Sequence, residues 1–181
     1  MENLKVWHTK SSNYIYKNKW LTVRKDHVSL PSGIEMDDYY VLEYPDWATI
    51  IAITEDGKFV MERQYRHGLQ QINVELCGGT VEEGEDPLET AERELLEETG
   101  YAGGEWTVYA PTSPNPSAMT NICHTFIAQG VRNVAEQNLE KTEDIEIVLM
   151  TKEELLEAMR NGDILQGDML APLWRYMYEN K

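Results

Sequence analysis

The sequence is short of basic residues: 16 lysines and arginines stand against 32 aspartates and glutamates, a formal net charge of −16. That shortage argues against electrostatic capture of nucleic acid or of an anionic membrane surface. It does not exclude a phosphate-bearing small molecule, because a bound divalent cation reverses the local sign. Cysteine is nearly absent. Two thiols, Cys77 and Cys123, make no disulfide framework, and their small or apolar neighbours lead us to expect two buried, reduced side chains. No run of 18 apolar residues occurs, and residues 1–5 carry no apolar segment of the signal-peptide kind, so a soluble cytoplasmic protein is expected. Repeats and low-complexity tracts are also missing. The 181 residues suffice for one domain with a sizeable core and a small extension.

What is present is acid, concentrated in residues 82–98 and 136–157. The stretch from Gly79 to Tyr101 reads as a glycine-rich turn feeding a short helix. Asp86 suits the N-cap, Pro87 the first helical position, and Glu89 stands at capping-box spacing. Leu88, Ala91 and Leu95 form an apolar stripe, and Gly100 suits the left-handed position that ends a helix. Glu94, Glu97 and Glu98 fall at i, i+3 and i+4, on one helical face. Each like-charge pair at such spacing costs an isolated helix about 0.2–0.5 kcal/mol. A hard cation such as Mg²⁺ removes the conflict, since it takes carboxylate oxygens on one side and keeps waters on the other. Arg93, four residues after Glu89 and four before Glu97, can bond carboxylates on either side.

Elsewhere the chain alternates strand and turn signals. Residues 14–44 predict antiparallel strands, with Trp20–Val23 and Asp26–Leu30 preceding a turn at Pro31-Ser32-Gly33 and a return over Met36–Tyr44. Pro45-Asp46 is the expected boundary between a small N-terminal sheet, residues 1–45, and a main domain, residues 46–181. Trp47–Thr54 and Lys58–Tyr65 predict a buried hairpin across Glu55-Asp56-Gly57. Asn73–Leu76, Trp106–Tyr109, Ile122–Ala128 and Ile145–Met150 predict further strands, and Lys152–Arg160 and Met169–Tyr178 predict helices. The fold class is α+β, a mixed sheet with helices on its faces.

Read as G-x5-E-x7-R-E-U-x-E-E-x-G-U, with U bulky and apolar or aromatic, the central stretch is matched at every fixed position by Gly79, Glu85, Arg93, Glu94, Leu95, Glu97, Glu98, Gly100 and Tyr101. It resembles the signature of the Nudix hydrolases, which cleave a nucleoside diphosphate linked to another group. The resemblance implies an α/β/α sandwich with a mixed central sheet. It also implies Mg²⁺, or Mn²⁺, held by Glu94, Glu97, Glu98 and the carbonyl of Gly78. Glu97, Glu98 and Arg93 would belong to the catalytic machinery. A general base on a loop well after the signature falls by resemblance on Glu143, with Glu140 second.

Outside the signature, Gln64-Tyr65-Arg66 and Glu75-Leu76 resemble segments of the ADP-ribose pyrophosphatase branch, and Pro116 matches its marker proline. Arg66, Glu75 and Pro116 are therefore expected at the substrate, with Arg66 suited to phosphate oxygens or reserved for a salt bridge to Glu75. The chain departs from that branch at Cys77-Gly78 and at Ser113–Asn121, which lacks an acid. The substrate expected is ADP-ribose or a related nucleoside-diphosphate sugar. GDP-mannose, a dinucleotide, or a non-catalytic ADP-ribose sensor remain alternatives. Trp7, Trp20 and Trp47 are candidates for stacking on the base or for packing, and the branch implies a homodimer.

Overall fold

A computed structural model describes residues 4–18 and 21–181; Trp20, one of the stacking candidates, lies outside them. The chain divides into two compact units, residues 1–44 with 113–121, and residues 45–112 with 122–181.

The first unit is built on β1 (His8–Lys17), β2 (Thr22–Ser29) and β3 (Glu35–Glu43), antiparallel in that order. The turn after β2 forms where Gly33 takes φ +85°, a backbone state in which a Cβ is strained. Val28 and Val41 are buried, and so is Asp26, which accepts both arms of its bond from Arg24 Nε at 3.0 Å. Residues 113–121 lie along β3: Leu42 N donates to Ala118 O at 2.7 Å, and Thr120 N donates to Leu42 O at 3.2 Å. Two of the sequence expectations need correction here. Trp20–Val23 and Asp26–Leu30 are not separate strands, because one strand runs through Arg24 and Lys25. And β1 begins at His8 rather than at residue 14: all ten of its residues are exposed, so it lacks the alternation that marks a half-buried strand.

The second unit holds β4 (Trp47–Thr54), β5 (Phe59–Arg66), β6 (Gln71–Thr80), α1 (Pro87–Thr99), β7 (Tyr101–Ala102), β8 (Glu105–Thr112), β9 (Cys123–Asn133), β10 (Ile145–Met150), α2 (Lys152–Asn161) and α3 (Gly167–Glu179). The sheet order is β10-β5-β6-β4-β9-β7, with β8 on β9; β4 and β9 run parallel, and the other pairs run antiparallel. Side-chain parity along β4 explains the layers. Ile51 and Ile53 join Leu155, Met159, Leu173 and Met177 of α2 and α3, whereas Ala48, Ile50 and Ala52 join Ala91 and Leu95 of α1. The sheet is thus the middle layer of an α/β/α sandwich.

One detail of β6 departs from the sequence reading and matters for the site. Gly78 and Gly79 are strand residues, not a turn, and pair with Thr49 and Ala48. The turn comes later, at residues 83–84, with Gly84 at φ +87°. Glycine is disfavoured in strands, which is why Asn73–Leu76 alone looked extended. It is needed here because a methyl on Gly78 would overlap the Ala48 carbonyl and one on Gly79 would overlap the Glu94 carboxyl group.

Candidate active site

Helix α1 forms as its caps dictate. The Asp86 side chain accepts from Leu88 N at 2.8 Å, Pro87 fills the first position, and Gly100 ends the helix at φ +73° with its N–H on Leu96 O. Ala91 and Leu95 are fully buried and fix the rotation of the helix about its axis. That rotation turns Glu94 and Glu98 toward β6, while Glu97 reaches Arg93.

Arg93 holds the outer part of this face. It donates to Glu85 through Nε at 3.1 Å and Nη2 at 3.2 Å, to Glu94 at 2.8 Å and to Glu97 at 3.2 Å, the last two through the single atom Nη1. Two carboxylates that meet at one nitrogen can equally meet at one cation. The upstream partner is Glu85 rather than Glu89, because the turn at Gly84 folds the loop acid back beside the helix. Arg93 holds Glu85 down to about 2, and its own guanidinium is pushed up, most of all by Glu85. Burial raises Glu94 above the ordinary carboxyl value despite the contact with Arg93.

Glu98 sits deeper, and among the described residues no cation bonds to it. Its Oε2 accepts from Gly78 N at 3.2 Å and from the Cys77 thiol at 3.2 Å. Burial lifts its carboxyl to about 7. Strand parity supplies the neighbours. Residues 60, 62 and 66 of β5 share one face, as do 75 and 77 of β6, and both faces lie under α1. Glu62 (3% exposed) and Glu75 (1%) therefore lie on the same side of adjacent strands and form a cross-strand pair. Glu75 is neutralised by Arg66, which donates through Nε at 3.0 and 2.9 Å and through Nη2 at 2.5 Å. Burial works against the Arg66 charge, but Glu75 overcomes it and the guanidinium stays protonated. Glu62 has no such partner, and burial raises its carboxyl well above the usual range, with Glu98 adding to the effect. Sequence reasoning passed over Glu62 and Cys77. The signal available was a glutamate within the apolar run of β5, but its meaning depended on the register with β6.

A loop spanning residues 134–144 hangs from the last turn of α1. Val134 N and Ala135 N donate to Gly100 O, Asn138 N donates to Glu97 O at 2.8 Å, and the Gln137 amide donates to both Glu98 O and Ile145 O. Glu143 is on this loop. Its N–H donates to Glu140 O at 3.1 Å and its Oε2 accepts from Glu140 N at 2.7 Å. Its charge reaches the helix, where it raises both Glu94 and Glu98. Pro116 is in the first unit and exposed. His124 contacts Asp46 Oδ2 at 2.9 Å and is satisfied there. Trp7 is half exposed and meets Tyr39 edge to face at 5.9 Å, and Trp47 opens β4 half-buried. Cys77 and Cys123 are both free and buried, as expected.

Does the donor set fit a divalent metal? Glu94, Glu97 and Glu98 offer oxygens along one edge of α1, and Gly79 keeps the space beside Glu94 clear of any side chain. Carboxylates with one arginine among them and a raised Glu98 form a set that a hard cation would neutralise. The residues fit.

Comparison with known proteins agrees with this geometry. The NUDIX domain matches residues 44–169, and the nucleoside diphosphate sugar hydrolase N-terminal domain matches residues 7–42. The chain therefore belongs to the Nudix hydrolase family. It is 29% identical over 157 residues to an ADP-ribose pyrophosphatase of Bacillus subtilis (strain 168), covering 86% of this chain and 84% of that one. It is 33% identical over 159 residues to the methanol dehydrogenase activator of Bacillus methanolicus, with the same coverage of 86% and 84%. In fold it superposes on the crystal structure of an ADP compounds hydrolase with a TM-score of 0.86 at 18% identity, covering 99% of this chain and 96% of that one.

Proposed function

We propose that this chain is a Mg²⁺-dependent pyrophosphatase that hydrolyses ADP-ribose or a related nucleoside-diphosphate sugar to a nucleoside monophosphate and a sugar phosphate. The observation that carries the reading is the placement of Glu94 beside Gly79 and of Glu98 on Gly78 N, with Arg93 tying Glu97 to Glu94 on the same helix. These three carboxylates and the Gly78 carbonyl would hold the metal. When bound, Mg²⁺ supplies charge neutralisation for the diphosphate and a more acidic attacking water.

The chain's own residues account for the rest. Arg93 fixes Glu94 and Glu97 in one orientation, so little reorganisation remains for the reaction. Arg66 spends Nε and Nη2 on Glu75, and its Nη1 has no hydrogen bond among the described residues, which suits it to a phosphate oxygen. Glu75 thereby aims Arg66. Glu143, or Glu140 in second place, accepts the proton of the attacking water, a contribution of about 10²–10⁴-fold. Pro116 would shape the loop that receives the sugar.

Residues 1–45 would form an N-terminal extension to a Nudix domain at 46–181, a division supported by the two family matches. A homodimer is proposed, with support from the wholly exposed β1 and its half-exposed Tyr14, Ile15 and Tyr16. A cytoplasmic location is supported by two free thiols. Among the described residues no helix is long and apolar enough to cross a membrane. The acidic charge favours a small-molecule partner over nucleic acid.

The test is a hydrolysis screen over ADP-ribose, other nucleoside-diphosphate sugars, GDP-mannose and dinucleotides, with and without Mg²⁺. Metal-dependent turnover that is fastest for ADP-ribose is expected. No turnover of any compound by folded protein overturns the reading, turnover confined to a dinucleotide overturns the substrate class, and turnover confined to GDP-mannose overturns the adenine nucleotide.

A further inference from the structure

Beneath the helix face just described lies a second cluster of donors, two of which the hydrolytic reading does not use. A carboxylate oxygen of Glu62, the Cys77 sulfur and a carboxylate oxygen of Glu98 all lie within 4.8 Å of one another, and all three residues are buried. Two independent features mark this as more than packing. The first is that Glu62 is 3% exposed, and its Oε1 has no hydrogen-bond partner among the described residues. A buried polar atom without a partner costs about 1–3 kcal/mol, so a ligand that satisfied it would be stabilising. The second is the sulfur. Mg²⁺ asks for oxygen ligands in octahedral array, whereas a thiolate selects softer ions.

We infer that Glu62, Cys77 and Glu98 form a second, buried site for a divalent cation of the zinc class, bridged to the Mg²⁺ site through Glu98. Bonds from such an ion run about 2.3 Å to sulfur and 2.0–2.2 Å to carboxylate oxygen, so donors already within 4.8 Å close on it with shifts of about 1 Å or less. Three protein ligands leave a fourth position open, as in mononuclear zinc sites that bind water. The thiol proton leaves when the sulfur binds the ion. Three anionic ligands outweigh the two positive charges of the ion, and Arg66, whose charge acts on both Glu62 and Glu98, offsets the excess. Glu98 can serve both ions because a carboxylate has two oxygens, and Oε2 is the one turned toward Cys77 and Gly78.

The site goes beyond the pyrophosphatase reading, and the experiment uses metal alone without substrate, so the two can fail separately. Co²⁺ is added to the full chain under anaerobic conditions with a phosphine reductant, and the near-ultraviolet sulfur-to-cobalt charge-transfer band is followed. The wild-type chain is expected to give a saturable band at one ion per chain. Zn²⁺ should abolish it and excess Mg²⁺ should not. Cys77→Ser should lose the band while Cys123→Ser keeps it, and Glu62→Gln should weaken Co²⁺ binding by about tenfold or more. Far-ultraviolet circular dichroism confirms that each variant is folded, and Cys77→Ala repeats the test should Cys77→Ser not fold. No band in the wild-type chain, a band that survives loss of Cys77, displacement by Mg²⁺, or unchanged affinity in Glu62→Gln each overturns the inference.

Discussion

The two ends of the glutamate face of α1 solve the same problem differently. At the outer end Glu85, Glu94 and Glu97 share Arg93 as a common ion-pair partner. At the inner end Glu98 has a thiol and a backbone N–H for company, and burial raises its carboxyl to about 7. Four residues separate Glu94 from Glu98, less than 1.2 turns of helix at 3.6 residues per turn, or roughly 6 Å of rise. The contrast teaches that a carboxylate cluster can be assembled in advance of its metal when one part is neutralised by an arginine and another by a proton.

Four substitutions break or sharpen this contrast, and the first should have the largest effect. Glu98→Gln removes a proposed direct ligand, and since losing even an outer-sphere partner of a metal costs 10–100-fold, turnover should fall by about 10²-fold or more. The folded chain without metal should be as stable as wild type or more so, because burial opposes the Glu98 charge and the amide carries none. An unchanged rate would remove Glu98 from the metal site. Next, Gly79→Ala drives a methyl into the Glu94 carboxyl group and should cut Mg²⁺ affinity in a titration by about tenfold. Wild-type affinity there would mean that Glu94 has room to move.

The third concerns pH. Because the Glu98 carboxyl titrates near 7 in the fold and near 4.5 in the unfolded chain, the native state holds the proton more tightly. Stability without metal should therefore decline as pH rises from about 4.5 to about 7. Thermal melts should record this decline, and Glu98→Gln should flatten it. Glu85 has the opposite sign. Held down to about 2, it contributes above 4.5 and loses that contribution as pH falls from 4.5 toward 2. Glu85→Gln should flatten only that acid limb, and a single slope shared by both variants would erase the contrast. The smallest effect is expected for Arg93→Met, which leaves three acids without their cation and should cost about 1 kcal/mol in a urea melt. Saturating Mg²⁺ should recover most of it. Failure to recover would mean that the metal does not stand in for the arginine.

The legible parts of this molecule were those whose cause is local. Asp86, Pro87, the Ala91–Leu95 stripe and Gly100 specify α1 within its own span, and the helical repeat alone turns Glu94, Glu97 and Glu98 to one side. Trp47–Thr54 and Ile145–Met150 were read to the residue because their apolar runs begin and end with the strands. What stayed hidden depended on partners distant in sequence. Glu62 and Cys77 meet Glu98 only through the register of β5 on β6 and the seating of α1 on both. Arg93 chose Glu85 because Gly84 reverses the chain, which no helical spacing predicts. And β1 carries no buried face to announce it.

The 134–138 segment turns the last carbonyls of α1 from solvent-facing groups into anchors. From Asn138, bonded to Glu97 O, only five residues lead to Glu143. The chain is thus a short tether with its fixed end on the helix that carries Glu94, Glu97 and Glu98. On the proposed reading, that anchor gives Glu143, the proposed proton acceptor, a remembered position beside the carboxylates it acts on. Lengthening the tether between residues 138 and 143 would cost that memory of position before it cost any contact within the fold.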